Sequence, residues 1–552
     1  MREDAVYKRV DPPDTAARPL IPARGDMPTS EGDMPVSDPT NARSSLTTLP
    51  STEPPPETSG LSRRSLLGGV ATIGLVGPAF VRRAEAQAGS GKAAPKAAPA
   101  PANPAPAKPA DPLPEPRPLV AGPGKNRLKP EPATETAVWI FDGGIGGGKS
   151  SLPVIRAKLG DTVRLRVENR TDKPLSLHWH GVRNQNPMDG VGGVTQPPIA
   201  PGADFTYSFV PPDAGTFLIR PLLIGGSSEP SGRGLAGALI IEETVPPSLD
   251  QDLALLMQDW RLEDSGALMP FGQVAFAAAS GRLGNLVTIN GKPVPEAIEV
   301  RPGSRVRLRL GNVCNARGTR IRFEGAKVYV VAVDGQPTDT FEPLRATLPF
   351  PPGTRYDLML DMPTEIGANV SVNALVGNGL VLATLTTKGE PITEKRPPIA
   401  PIGENKLLPA EVKLQNAVRR DIAITGGAKL DKDKPSAEPV YSGDPNRVWA
   451  INGITGAAGT APSFTVKRGQ VVVLAIRNDT AFPQALHLHG HAFRLLHPLD
   501  DGWEPYWLDT FQLLEGRMAR IAFKADNPGR WVIGSTVLER FDTGLWTSFE
   551  VT

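Results

Sequence analysis

Apolar and polar residues alternate with a period of two in three separate stretches of this chain, and the three stretches share one frame. The first runs Gly160-Asp-Thr-Val-Arg-Leu-Arg-Val-Glu-Asn169. The second runs Gly303-Ser-Arg-Val-Arg-Leu-Arg-Leu-Gly-Asn312, and the third Gly469-Gln-Val-Val-Val-Leu-Ala-Ile-Arg-Asn478. In each, a turn glycine is followed nine residues later by asparagine. Period-two alternation is the signature of a strand with one face buried. The third copy is more continuously apolar, as a more deeply buried strand would be. Further short strand-like runs, at Val328 to Val333, Tyr356 to Leu360 and Val381 to Leu385, are separated by Gly and Pro turns. No long helical periodicity interrupts them. A chain of 552 residues exceeds one core. The pattern therefore predicts an all-β protein of three tandem two-sheet Greek-key sandwiches. The acidic stretch near Glu242 and the Pro-rich stretch 397–409 mark the joints, giving domains at 134–245, 246–399 and 400–552.

The chain before residue 134 reads differently. Residues 1–61 are polar and rich in Pro, Asp and Thr, which predicts a disordered N-terminal extension. Ser62-Arg63-Arg64-Ser65-Leu66-Leu67, the apolar run to Phe80 and Ala84-Glu85-Ala86 together form a twin-arginine export signal, 62–88. The apolar run is too short and too Gly-rich for a membrane span, so the mature protein is expected to lack a transmembrane segment. Maturation near Gln87 or Gly89 would place the protein in the periplasm, with the twin-arginine translocation machinery as a transient partner. Residues 89–133 are rich in Ala, Pro and Lys and read as an extended linker. The formal charge of +2 leaves no footprint of nucleic-acid binding. A single cysteine, Cys314, excludes intrachain disulfides and Cys-rich metal clusters; it reads as a small buried residue.

Four of the six histidines lie in two matching tetrapeptides, His178-Trp179-His180-Gly181 and His487-Leu488-His489-Gly490. On a strand, residues i and i+2 share a face, so each tetrapeptide presents paired imidazoles. Both begin nine residues past the repeat asparagine. In the middle copy the equivalent positions are Ile321 and Phe323. The first and third domains are thus expected to share a His-rich metal site, with the middle domain as a spacer.

In these motifs the folded part resembles the multicopper oxidases, laccase-like enzymes of three cupredoxin domains. The resemblance extends through Met188-Asp189-Gly190-Val191, Thr195-Gln196-Pro197-Pro198, Asp213-Ala-Gly-Thr-Phe217, Asp334-Gly335-Gln336-Pro337 and Asp526-Asn-Pro-Gly-Arg-Trp531. It implies that His178 and His487 match type 2 copper ligands and that His180 and His489 match type 3 ligands. It also implies that Asp189 matches the acid that delivers protons. Family members add a type 1 copper, held by a Cys thiolate, two His and usually an axial Met. Here the pattern departs. Gln484 replaces one type 1 His, and Arg220-Pro221-Leu222 replaces a His-x-His. Gly534-Ser535-Thr536 replaces His-Cys-His, while Arg540 and Leu545 replace the last two type 1 ligands. The type 1 set is absent and half of the trinuclear imidazoles are missing.

The expected protein is a periplasmic, non-catalytic scaffold that binds a protein or small molecule, with zero or one type 2-like copper between domains one and three. The alternative is a copper-binding oxidoreductase with altered redox activity. Arg220 is expected to project into the vacated cluster and pair with Asp189. His491 and His497 are not expected to be ligands.

Overall fold

The structure, a computed structural model, describes residues 113–143, 149–150, 152–430, 439–497 and 502–552. The expected N-terminal extension, the export signal and most of the linker lie outside them. Six sheets form three successive pairs, of five and four, seven and five, and five and five strands. The α-helices among the described residues are single turns, Ser228–Gly232, Val274–Ala278 and Leu538–Asp542. None is long and apolar enough to cross a membrane.

The three repeat strands occupy equivalent places. Val163–Asn169 pairs parallel to Arg117–Asn126 and antiparallel to Asp204–Phe209. Arg305–Asn312 sits in the same way between Gln251–Trp260 and Arg355–Asp361, and Val471–Asn478 between Val418–Gly426 and Met518–Lys524. The repeat asparagine explains its recurrence. Its amide donates to two main-chain carbonyls across the loop: Asn169 to Lys173 and Ile199, Asn312 to Arg317 and Phe350, Asn478 to Phe482 and Leu513. Each staple closes the turn that leads to the histidine-bearing strand or its equivalent.

Two expectations need correction. The first domain begins before residue 134, because Arg117–Asn126 is a full strand whose Leu119 and Ala121 enter the core. Its prolines and glycines gave it the composition of a linker. The middle repeat strand is buried on both faces. Its polar face, Arg305, Arg307 and Arg309, meets acids instead of water. Arg307 pairs with Glu243 at 2.8 Å and with Asp357, while Arg309 pairs with Asp252 at 2.7 Å and with Asp357 at 3.0 Å. Thr216 of the first domain joins through Asp357. The alternation that read as half-exposed is a buried ion network tying domain two to domain one.

Candidate metal centre

His178 and His180 lie on Leu177–His180, beside the strand Gly215–Pro221, with His178 opposite Arg220 and His180 opposite Leu218. His487 lies on Gln484–Leu488, opposite Gly534 on one side and Thr510 on the other. His489 follows just past that strand, its N–H bonded to the Val532 carbonyl. All four rings are buried and converge, with centroids 4.1 Å apart for His178 and His489 and 3.8 Å for His180 and His487. The sequence reading of a site shared by domains one and three corresponds to this cluster.

The partners of the rings fix their tautomers. His178 Nδ1 is 2.7 Å from the Asp189 carbonyl, and His487 Nδ1 is 2.9 Å from the Asp509 carbonyl. A carbonyl only accepts, so both Nδ1 atoms donate. His489 Nδ1 is 2.9 Å from Asp189 Oδ2. Burial would raise the Asp189 carboxyl, but the His489 and His178 rings outweigh this and hold it below the usual carboxylate range, so it also accepts. Burial pushes His489 down to about 3 and lowers His487, which keeps both rings neutral. With Nδ1 committed, the Nε2 lone pairs of these three rings are left for a ligand. His178 Nε2 is buried without a hydrogen-bond partner.

His180 is set apart. Its Nε2 lies 3.1 Å from Thr510 Oγ1, whose own hydroxyl donates to Asp509. Ligand atoms of His178, His487 and His489 lie within 4.8 Å of one another, and so do those of His180, His487 and Asp509. The second set is the poorer donor group, because Arg355 already clamps Asp509 through two bonds of 2.8 and 2.6 Å.

Domain two is more than a spacer. Arg355 belongs to it, as does Asp334, whose carboxylate accepts the main-chain N–H groups of Asp509 and Thr510. Gly353, at φ +90°, packs so closely that a Cβ there would meet His180 Nε2 at 2.9 Å. Sequence reasoning missed Arg355, Asp509 and Thr510, which sit on strands far apart in the chain. The Asp334-Gly335 turn was visible only as a motif.

Arg220 lines the same small cavity as the four imidazoles, a space of ≈ 10 Å³ open to a water's centre. It is 3% exposed and, contrary to expectation, does not pair with Asp189. Its Nη2 donates to the carbonyls of Cys314 and Thr536 at 3.2 and 3.0 Å, and Nε has no partner. The Asp189 carboxylate instead meets His489 Nδ1 at Oδ2, with His178 Nδ1 3.4 Å from Oδ1. Burial lowers Arg220 to about 10, so it remains a cation at neutral pH.

At the type 1 position a second guanidinium takes up the space. Arg540 Nη1 donates to Gln484 Oε1 at 2.6 Å and to the Pro483 carbonyl at 2.7 Å. Nε and Nη2 donate to the Ala279 carbonyl of domain two. The Trp449 and Phe482 rings lie 5.0 and 5.6 Å from its carbon. Ser535 Oγ accepts the Val537 N–H. Cys314 is a buried member of the domain-two core. His491 is buried among Phe523, Trp531 and Phe549, bonded to the His489 carbonyl.

These residues do not fit a four-copper centre. The donors at the type 1 and the other type 3 positions are an amide, a hydroxyl, guanidinium groups and apolar side chains. They do fit one ion, at His178, His487 and His489, whose ligand atoms converge.

Sequence profiles described as multicopper oxidase match residues 124–245, 252–388 and 431–552. The multicopper oxidase MmcO of Mycobacterium tuberculosis is 29% identical over 415 residues, covering 69% of this chain and 77% of that protein. A multi-copper oxidase from Pseudomonas thermotolerans is 31% identical, with a TM-score of 0.68 over 79% of this chain and 98% of that one. One from Pseudomonas parafulva is 30% identical, with a TM-score of 0.65 over 79% and 99%.

Proposed function

The chain belongs to the multicopper oxidase family, and we propose that it uses the family's three-domain body as a periplasmic binding scaffold without four-copper oxidase chemistry. Its partner is a periplasmic protein or a small molecule, and it reaches the periplasm through the twin-arginine signal at 62–88. The observation that carries this reading is the replacement of the electron-entry site. Arg540 and Gln484 form a buried hydrogen-bonded pair where a thiolate and imidazoles would be required.

The scaffold holds at most one type 2-like copper, at His178 and His487 with His489 beside them. Copper bound there would supply a one-electron redox couple. The chain's own residues would do the rest. The carbonyls of Asp189 and Asp509 and the Asp189 carboxylate orient the three rings, and the buried walls exclude bulk water. Asp189 works here as an acceptor that sets tautomers. The competing reading, a copper oxidoreductase with altered activity, would need electrons to enter without a type 1 site.

Copper content, EPR and oxygen uptake of the exported, copper-loaded protein test the proposal. The expected result is no more than one copper per chain, a type 2 spectrum if copper is present, and no oxygen consumption. A blue absorbance band or sustained oxygen uptake would sink it.

A further inference from the structure

Glu539 is a buried acid that the fold leaves unmatched. Seven carboxylates are buried among the described residues. Six of them, Asp189, Asp213, Asp259, Asp334, Asp357 and Asp509, lie within 3.5 Å of an arginine or histidine nitrogen. Glu539 has no such cation at ion-pairing distance among the described residues. Its Oε1 accepts one bond, from Asn315 Nδ2 at 3.0 Å, and its Oε2 is buried with no partner. The Asn315 amide also donates to the Ser228 carbonyl, and its Oδ1 is likewise buried without a donor. The bond that joins these two side chains therefore leaves one orphan oxygen on each.

A carboxylate cannot repair this, because it only accepts. A carboxylic acid can: a proton on Oε2 would be donated to Asn315 Oδ1 and close a two-bond acid–amide pair. The surroundings favour that form. A Cβ on Gly281 would meet Ala316 Cβ at 2.5 Å and Glu539 Oε2 at 3.4 Å, so the carboxyl lies against packed main chain. The charged groups that face it are Arg282 of domain two and, on its own helix, Arg540 and Asp542. Arg282 is committed to the carbonyls of Arg261, Met269 and Pro270, and Arg540 to those of Ala279 and Pro483. The other charges that Arg282 meets are paired, Asp259 with Arg317 and Arg233 with Glu229. Burial raises the Glu539 carboxyl to about 7, with Asp542 adding to the rise and Arg282 opposing it.

The single-turn helix Leu538–Asp542 that carries Glu539 touches all three domains. The Leu538 N–H bonds the Asn315 carbonyl of domain two, and the Asp542 carboxylate accepts the Ser227 and Ser228 N–H groups of domain one. Leu538 and Phe541 wall the cavity beside the four imidazoles. We propose that Glu539 holds a proton between domains two and three, donated from Oε2 to Asn315 Oδ1, and that losing this proton loosens the helix and opens the cavity wall. Protonated, the acid locks the three domains around the site. Ionised, it adds a charge to a sealed interface and leaves both oxygens without a donor. The lock is independent of whether an ion is bound.

Infrared spectroscopy of protein carrying 13C at the glutamate side-chain carboxyl, from pH 5 to pH 9, tests the first half. The label separates Glu539 from Asp334 and Asp542, whose carboxyls burial also raises. One glutamate per chain should stay protonated at pH 5 and ionise near neutrality, and Glu539→Gln should lose that band. The folded acid holds its proton more tightly than the unfolded one. Its share of stability is therefore full below the unfolded value of about 4.5 and is lost as pH rises through about 7. Relative to Glu539→Gln, whose amide supplies the missing donor, wild type should lose on the order of a hundredfold in the unfolding equilibrium between pH 5 and pH 8. Hydrogen exchange tests the second half: the amides of residues 538–544 should exchange faster in wild type than in Glu539→Gln at pH 8, and equally at pH 5. A glutamate set fully ionised at pH 5 overturns the proposal, and so does equal exchange in the two proteins at pH 8. Where Glu539→Gln does not fold, the labelled wild type decides: its 538–544 amides must accelerate beyond the intrinsic pH dependence as the glutamate band titrates, or the lock is wrong.

Discussion

Arg355 should be one of the costliest side chains to remove from the interface beneath the site. It is fully buried and donates to both Asp509 carboxylate oxygens, to the Gly353 carbonyl and, across domains, to the Thr216 carbonyl. Arg355→Met leaves the Asp509 charge buried beside Asp334 with no cation to match it. Breaking one partner of a buried pair typically costs about 3–5 kcal/mol, whereas replacing both with apolar groups is close to neutral. The pH dependence gives the sharper signature. In the wild type, burial raises the Asp509 carboxyl, but Arg355 outweighs it and holds the group below its ordinary range. That stabilisation is present above the unfolded carboxyl value of about 4 and is lost as pH falls through the lower folded value. In Arg355→Met the folded carboxyl is raised, so the sign reverses and the penalty grows with pH. Urea unfolding followed by tryptophan fluorescence, at pH 5 and pH 8, should show a larger loss at pH 8. Arg355→Met with Asp509→Leu should recover most of it. A loss below about 1 kcal/mol at pH 8, or no recovery in the double variant, would refute the argument.

Other consequences are as direct. Arg220→His should increase the copper retained after dialysis, read by elemental analysis. Ser535→Cys alone should produce no blue absorbance on copper loading, because Arg540 and Gln484 still fill the space beside it. Asn312→Ala removes two staples to the Arg317 and Phe350 carbonyls and should destabilise the middle domain by about 2–4 kcal/mol in chemical denaturation. Burial holds His180, His487 and His489 below their ordinary value and pushes His491 down to about 4. The folded rings stay neutral while the unfolded ones take protons, so stability should fall as pH drops below about 6.5, and His491→Phe should make that fall less steep.

The all-β architecture and the meeting of His178, His180, His487 and His489 were legible in the sequence because both are periodic. A period of two sets a strand face, and a shared offset from the repeat asparagine sets which strands meet. What was hidden depends on non-local partners. Arg305, Arg307 and Arg309 look like a solvent-facing row until Asp361, Glu243, Asp252 and Asp357 are brought against them. Leu119 and Ala121 sit in a Pro- and Gly-containing strand whose place is set by two later strands. The position of Arg220 beside the cluster followed from the type 3 ligand place it takes in the family pattern, but its acceptors did not, since Cys314 and Thr536 come from the other two domains.

Those acceptors bear on how a body of this family stands without its metal ligands. At the trinuclear position Arg220 of domain one bonds main-chain carbonyls of domains two and three. At the type 1 position Arg540 of domain three bonds the Ala279 carbonyl of domain two and the Pro483 carbonyl of its own domain. Both sites have a guanidinium bound mainly by main-chain acceptors, joined at Arg540 by the Gln484 amide oxygen, where the family pattern has metal ligands. A guanidinium has a fixed planar array of donors and keeps its charge when buried, so it can link the same interfaces with no ion present. Burying two such cations without carboxylates is costly, as their lowered values of about 10 and about 9 indicate. They differ in how that cost is met. Arg540 has every nitrogen hydrogen-bonded and two aromatic rings against it, so its site is closed. Arg220 lines the cavity beside the four imidazoles and its Nε lacks a partner, so chemistry that remains in this protein should be sought there.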